Sequence, residues 1–199
     1  MSEYKTILKT ISIISLLGLI FAISLSITFE KSNPIIEQNK IEFKTKLLNE
    51  VLDGLDYEND LIATYIRIKP NELLKNKTEK YAYLAKKNNT LQAVLIESIA
   101  PDGYSGEINI LTAIRSDGEI IGTRIIDHKE TPGLGDYIDQ KKSSWISNFN
   151  GMSLNNRTDP DWRVEKDQGT FDYKAGATIT PRAVIKSVKN TLLFYKENR

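Results

Sequence analysis

Two short stretches hold the residue types that chemistry needs. The first, Asp172-Tyr-Lys-Ala-Gly-Ala-Thr178-Ile-Thr180-Pro181, runs a loop of small residues into the start of a helix. The unpaired N–H groups and positive dipole end of such a start attract anions, phosphate above all. Gly176 and Ala177 leave the backbone open to close approach, and Thr178 and Thr180 add hydroxyls. Read from the residues alone, the segment serves equally well as a loop whose threonines cap the last helix, with Thr180 at the N-cap and Pro181 at the first helical position. The second stretch, His128-Lys-Glu-Thr-Pro-Gly-Leu-Gly135, holds two glycines and a proline and is no regular element. It brings backbone amides near a ring edge or a phosphate, or it simply turns the chain between a strand and a helix. Neither stretch fits the Walker phosphate loop or the Rossmann glycine fingerprint.

The remaining polar clusters carry less. His128 and Glu130 offer an acid–base pair, but a histidine at a strand end is more often an ordinary one. Asp159-Pro-Asp161 and the Asp53/Asp56/Glu58 group lack calcium-ligand spacing and read as solvated turns. Trp145 and Trp162 read as core residues, Trp145 with the alternative of covering an aromatic cofactor. Composition excludes much else. The chain has 27 basic and 26 acidic side chains, one His and no Cys. Thiolate chemistry, disulfides, thiolate-bound iron–sulfur or zinc sites and multi-histidine metal sites are ruled out. The formal charge of +1 leaves no basic footprint for nucleic acid. Chemistry falls to hydroxyls, carboxylates, amines, the backbone or a bound cofactor.

The elements that must position these stretches begin with a twenty-residue uncharged run, Thr10–Phe29. As a helix it spans roughly 30 Å, a bilayer's hydrocarbon core. Its main rival is a cleaved signal peptide, but no small-x-small cleavage site follows Phe29. We read an uncleaved transmembrane anchor. Lys5 and Lys9 before it give a slight bias toward a cytoplasmic tail over residues 1–9 and a domain outside. Glu3, Lys5 and Lys9 account for the whole formal charge, so the rest of the chain is neutral and is not expected to stick to lipid.

Beyond the anchor, Ile36, Ile41, Phe43, Leu47, Leu48, Val51 and Leu52 fall near helical spacing, with Gly54 as a stop. This helix and the apolar run Leu61–Ile68 make residues 30–79 a connector and the start of a soluble domain, which then occupies 80–199. Two hairpins are predicted, Lys80–Ala85 with Leu91–Ile99 and Glu107–Arg115 with Glu119–Asp127, the second doubly covered because its isoleucines fall on both faces. A helix is predicted over Asp136–Phe149, a short strand over Trp162–Lys166 and a last helix over Pro181–Tyr195. Strands interleaved with isolated helices make this an α+β domain with an antiparallel or mixed sheet and flanking helices.

Taken jointly, the two stretches resemble the FMN-binding domain family, whose motif is Asp-x-x-Ser-Gly-Ala-Thr. Asp172, Gly176, Ala177 and Thr178 match it at the family's spacing, with Ala175 where Ser is usual. Gly103-Tyr-Ser-Gly106, Glu107-Ile108, Asp117-Gly118, His128 through Asp136, Trp145 and Gly176 through Val184 recur in one order. With the anchor, they make the chain similar to the G-subunit family of Rnf (Rsx) ion-translocating electron-transport complexes. The C subunit of the sodium-translocating NADH:quinone reductase is a sister, usually longer.

The resemblance implies an electron-carrying component of a translocase, not catalytic alone. A dedicated flavin transferase would join FMN to Thr178 through a phosphoester. Ala175, Gly176, Ala177 and Thr180 would surround the phosphate, and Glu130, Thr131, Leu134, Gly135 and Trp145 would lie near the ring. The domain would face the periplasm from the bacterial cytoplasmic membrane, with other membrane, flavin and iron–sulfur subunits as partners. Two alternatives stand beside this reading: a membrane-tethered scaffold without flavin, and an enzyme using His128 and Glu130 on a soluble substrate.

Overall fold

The computed structural model describes residues 2–199. The chain divides into two units, Met1–Lys44 and Thr45–Arg199. From Ser2 on, the first belongs to α1, which spans Ser2–Val51 and is long and apolar enough to cross a membrane. Its apolar side chains, among them Ile14, Phe21 and Leu25, stand exposed all round the helix. Three of its hydroxyls are satisfied within the helix: Thr10, Ser12 and Thr28 each donate to the carbonyl four residues earlier at 2.8–3.0 Å.

The second unit is built on a five-stranded antiparallel meander in the order β1 (Tyr65–Ile68), β2 (Lys80–Lys87), β3 (Thr90–Gly103), β4 (Gly106–Arg115) and β5 (Ile120–Asp127). Both predicted hairpins are present. Asn88 and Asn89 make the first turn at φ 49° and 61°, values that asparagine tolerates better than most residues. The sheet is covered on both faces. On one, Ile96, Ile108, Ile110 and Ile114 pack in a core with Val184, Val188 and Leu192 of α2 (Ile179–Glu197). On the other, Leu95, Leu111 and Ala113 meet Leu48 and Val51 at the end of α1 and Leu52 just after it. Gly122 permits that second contact, because a Cβ there would lie 2.6 Å from the Val51 carbonyl oxygen.

Three local expectations are corrected. The Asp136–Phe149 helix is instead two short 3-10 helices, Asp136–Ile138 and Trp145–Phe149. Between them Ser143 Oγ donates to the Tyr137 carbonyl and Asp139 Oδ1 accepts from the Lys141 N–H, so side chains divert the backbone groups a helix would use. The Trp162–Lys166 strand is absent. A capping box at Thr158 starts a 3-10 turn over Asp159–Asp161, another follows over Glu165–Asp167, and only a single bridge joins Val164 to Phe171. Finally, α2 begins two residues early: its N-cap is Thr178, which puts Thr180 and Pro181 inside the first turn. Pro181 fits there because first-turn N–H groups have no helical acceptor.

Candidate functional site

The two stretches singled out in the sequence wall one small cleft of about 50 Å³. Glu130, Thr131, Leu134 and Gly135 line it from one side, and Gly176, Ala177, Ile179 and Thr180 from the other. Tyr104, in the β3–β4 turn, closes a third side.

Each wall is held by identifiable bonds. After β5 the Glu130 N–H donates to His128 Nδ1 at 3.0 Å, which makes the imidazole a local turn acceptor. The Leu134 and Gly135 N–H groups both return to the Thr131 carbonyl at 3.1 Å, and the Gly133 N–H donates to Asp136 Oδ1 at 2.8 Å. On the opposite wall a tight turn is closed by the Ala177 N–H to the Lys174 carbonyl at 3.0 Å, with Gly176 at φ +85°. Trp145 Nε1 donates to the Asp172 carbonyl at 2.7 Å, and the Tyr137 hydroxyl donates to the Ala177 carbonyl at 3.4 Å. Burial pushes the Tyr137 phenol up from its usual range, so it stays a donor at neutral pH.

Thr178 and Thr180 have different fates. Thr180 is buried and its hydroxyl donates to Glu130 Oε2. Thr178 is half-buried, sits between the lining residues Ala177 and Ile179, and makes no side-chain capping bond. A free hydroxyl thus stands at the N-terminus of a nineteen-residue helix.

Comparison with known proteins decides the family. A family model described as the FMN-binding domain matches residues 103–193. The G subunit of the ion-translocating oxidoreductase complex of Aliivibrio fischeri is 37% identical over 194 residues, covering 98% of this chain and 92% of that one. Its namesake from Vibrio vulnificus is 43% identical over 155 residues, with 78% and 73% covered. That of Pseudomonas aeruginosa is 35% identical, with 98% and 91% covered. The chain belongs to this G-subunit family. Among solved structures, that of Shewanella oneidensis NqrC aligns at 21% identity and TM-score 0.46, over 68% of this chain and 70% of that one.

In this member of the family, most of the residues expected near a cofactor converge on the cleft, but three do not line it: Thr178 stands beside the lining, between Ala177 and Ile179, and Ala175 and Trp145 lie elsewhere. Ala175 is exposed on the outer side of the 174–177 turn and is not part of the lining. Trp145 does not cover the cleft either. It is buried among Tyr137, Phe149 and Phe171, with ring centroids 5.7–5.9 Å away, and reaches the site only through the Asp172 carbonyl. Tyr104 and Ile179 line the cleft and were missed, although Gly103-Tyr-Ser-Gly106 stood out as a recurrent segment. Asp159 and Asp161 form surface turns, as expected of them, and lie outside this lining.

These residues fit FMN. Glycine and alanine backbone at the helix start suits a phosphate. The exposed apolar side chains of Tyr104, Leu134 and Ile179 around the opening suit an aromatic ring.

Proposed function

We propose that this chain carries electrons within an ion-translocating oxidoreductase complex on an FMN held as a phosphoester on Thr178. When bound, FMN supplies the redox chemistry, and the protein supplies placement, tuning and exclusion of water. The observation that carries this reading is the free Thr178 hydroxyl beside a cleft whose lining contains no Lys, Arg or His. The one charged lining residue is a carboxylate, Glu130. A phosphate in that lining meets a helix N-terminus but no cation among the lining residues, so ionic affinity there would retain the cofactor weakly. A covalent bond to the adjacent hydroxyl supplies that retention.

The chain's own residues then have distinct parts. Thr178 Oγ would be the attachment atom, Gly176 and Ala177 would admit the phosphate, and Leu134 and Tyr104 would shield the ring from water. Residues 10–29 anchor the chain in the cytoplasmic membrane, with 1–9 inside, 30–79 as connector and the FMN-binding domain of 80–199 facing the periplasm. The absence of cysteine means that iron–sulfur centres on the electron route belong to partner subunits. Maturation requires a flavin transferase.

Intact mass of the full chain, extracted from membranes of a host with the transferase, tests the reading. The native chain is expected to carry one FMN adduct, and Thr178→Ala none. An unmodified native chain would defeat the proposal, and an adduct surviving in Thr178→Ala would move the site.

A further inference from the structure

Glu130 is 4% exposed, yet no ion pair reaches it among the described residues. Both of its carboxylate oxygens are taken by donors from distant parts of the chain. Oε1 accepts the Ser105 N–H at 3.0 Å from the β3–β4 turn, and Oε2 accepts the Thr180 hydroxyl from the first turn of α2. The space around it is filled to contact. A Cβ on Gly103 would stand 3.0 Å from Oε1, and one on Gly135 would stand 2.8 Å from Oε2 and 3.0 Å from Thr180 Oγ1. Gly135 is thus required by this carboxylate, whereas at Gly103 the backbone carbonyl of Gly106 stands nearer still to a Cβ and Glu130 adds a second obstacle.

Helix geometry converts this clamp into a statement about Thr178. Successive residues turn by about 100°, so side chains two apart point roughly 200° away from each other. Drawing Thr180 inward onto Glu130 therefore turns Thr178 outward. The same carboxylate ties down the turn that carries Tyr104.

We infer that Glu130 is a positioning residue for cofactor attachment: by holding Thr180 inward and the Ser105 turn against it, it turns the Thr178 hydroxyl outward beside the cleft, where a modifying enzyme can reach it. Glu130 acts through Thr180, and its carboxylate is spent on protein donors. This rests on Thr178 being the attachment residue.

Co-expression of the full chain with a flavin transferase, with FMN occupancy read by intact mass at an early time, tests the inference. Glu130→Gln keeps the clamp, since its amide oxygen can accept from Ser105 and its NH2 can donate to the Thr180 oxygen; native occupancy is expected. Glu130→Ala should lower early occupancy by about tenfold, the worth of one charge-assisted hydrogen bond left unmade. Thr180→Val should lower it in the same direction, and Thr180→Ser should restore it. Thermal unfolding of the unmodified chains keeps a folding defect apart from a presentation defect, and Thr180→Val carries the test if Glu130→Ala does not fold. Native occupancy in Glu130→Ala and Thr180→Val overturns the inference, as does a loss that Thr180→Ser fails to rescue. If the native chain itself stays unmodified, the reading beneath fails and takes the inference with it.

Discussion

The segments Glu130–Gly135 and Asp172–Thr178 wall the same cleft, the first anchored through side chains and the second through its backbone. In the first, Glu130 and the adjoining Asp136 are buried carboxylates that accept from Ser105, Thr180 and Gly133. In the second, Trp145 and Tyr137 reach out from the core to hold the carbonyls of Asp172 and Ala177. The side chains of Asp172, Tyr173, Lys174 and Ala175 are left exposed and Thr178 uncapped. A segment that a modifying enzyme must read is best fixed by its carbonyls, because its side chains then remain available. A segment that only has to form a wall can commit its side chains inward.

One glycine in each segment gives a way to break that contrast. Gly135 has φ −88° and ψ −16°, angles open to any residue, so only space requires glycine there. Gly135→Ala would drive a methyl group into Glu130 and Thr180, at an expected cost of about 1–3 kcal/mol. At about 2–4 °C per kcal/mol, thermal unfolding would show it, and early FMN occupancy should fall as in Glu130→Ala. Gly176 is the reverse. Its φ of +85° disfavours a side chain, but the nearest atom to a new Cβ is Leu134 Cδ1 at 3.9 Å. Gly176→Ala should cost about 1 kcal/mol, from backbone conformation alone. If it proved the more damaging of the two, the packed wall and the open wall would have to be exchanged.

Much of the frame behind these walls was legible in the sequence. The hairpins follow from alternating isoleucines and from Asn88-Asn89 and Asp117-Gly118 at the turns, signals confined to a few neighbouring residues. The last helix follows from Val184, Val188 and Leu192, though its start was misplaced because two threonines competed for the cap. Segment 136–165 was misread for a physical reason. Its apolar residues sit at helical spacing over 136–149, but the side chains of Asp139 and Ser143 hydrogen-bond the local backbone and stop each helix within a turn. The site was legible as two stretches but not as one clamp. Glu130 and Thr180 lie fifty residues apart, and no local pattern announces their bond. Trp145 was noticed for its ring, whereas its indole N–H proves to be the part that serves the site.

A second pin on the first turn of α2 gives the smallest expected effect and the sharpest test of what burial adds. Arg182 Nε and Nη2 each meet a carboxylate oxygen of Asp167 at 2.6 Å, a bidentate geometry as good as any in the domain. The Arg182 hydrogen bond holds the Asp167 carboxyl below its ordinary value of 3.8. A carboxyl with a lower pKa in the folded than in the unfolded chain stabilises the fold above the ordinary value and ceases to do so as pH falls through and below it. Asp167→Asn should therefore flatten the loss of thermal stability between neutral pH and about pH 3, the native and variant curves converging at the acid end. The pair is exposed, so water and salt screen it and side-chain ordering opposes it. Its loss at neutral pH should be smaller than that of either glycine substitution and smaller still in high salt. FMN occupancy should not change, because Arg182 holds the outside of the turn while Glu130 sets the direction in which Thr178 points. An occupancy loss in Asp167→Asn equal to that in Thr180→Val would mean that any restraint on this turn suffices, and the distinction between the buried and the exposed pin would fall.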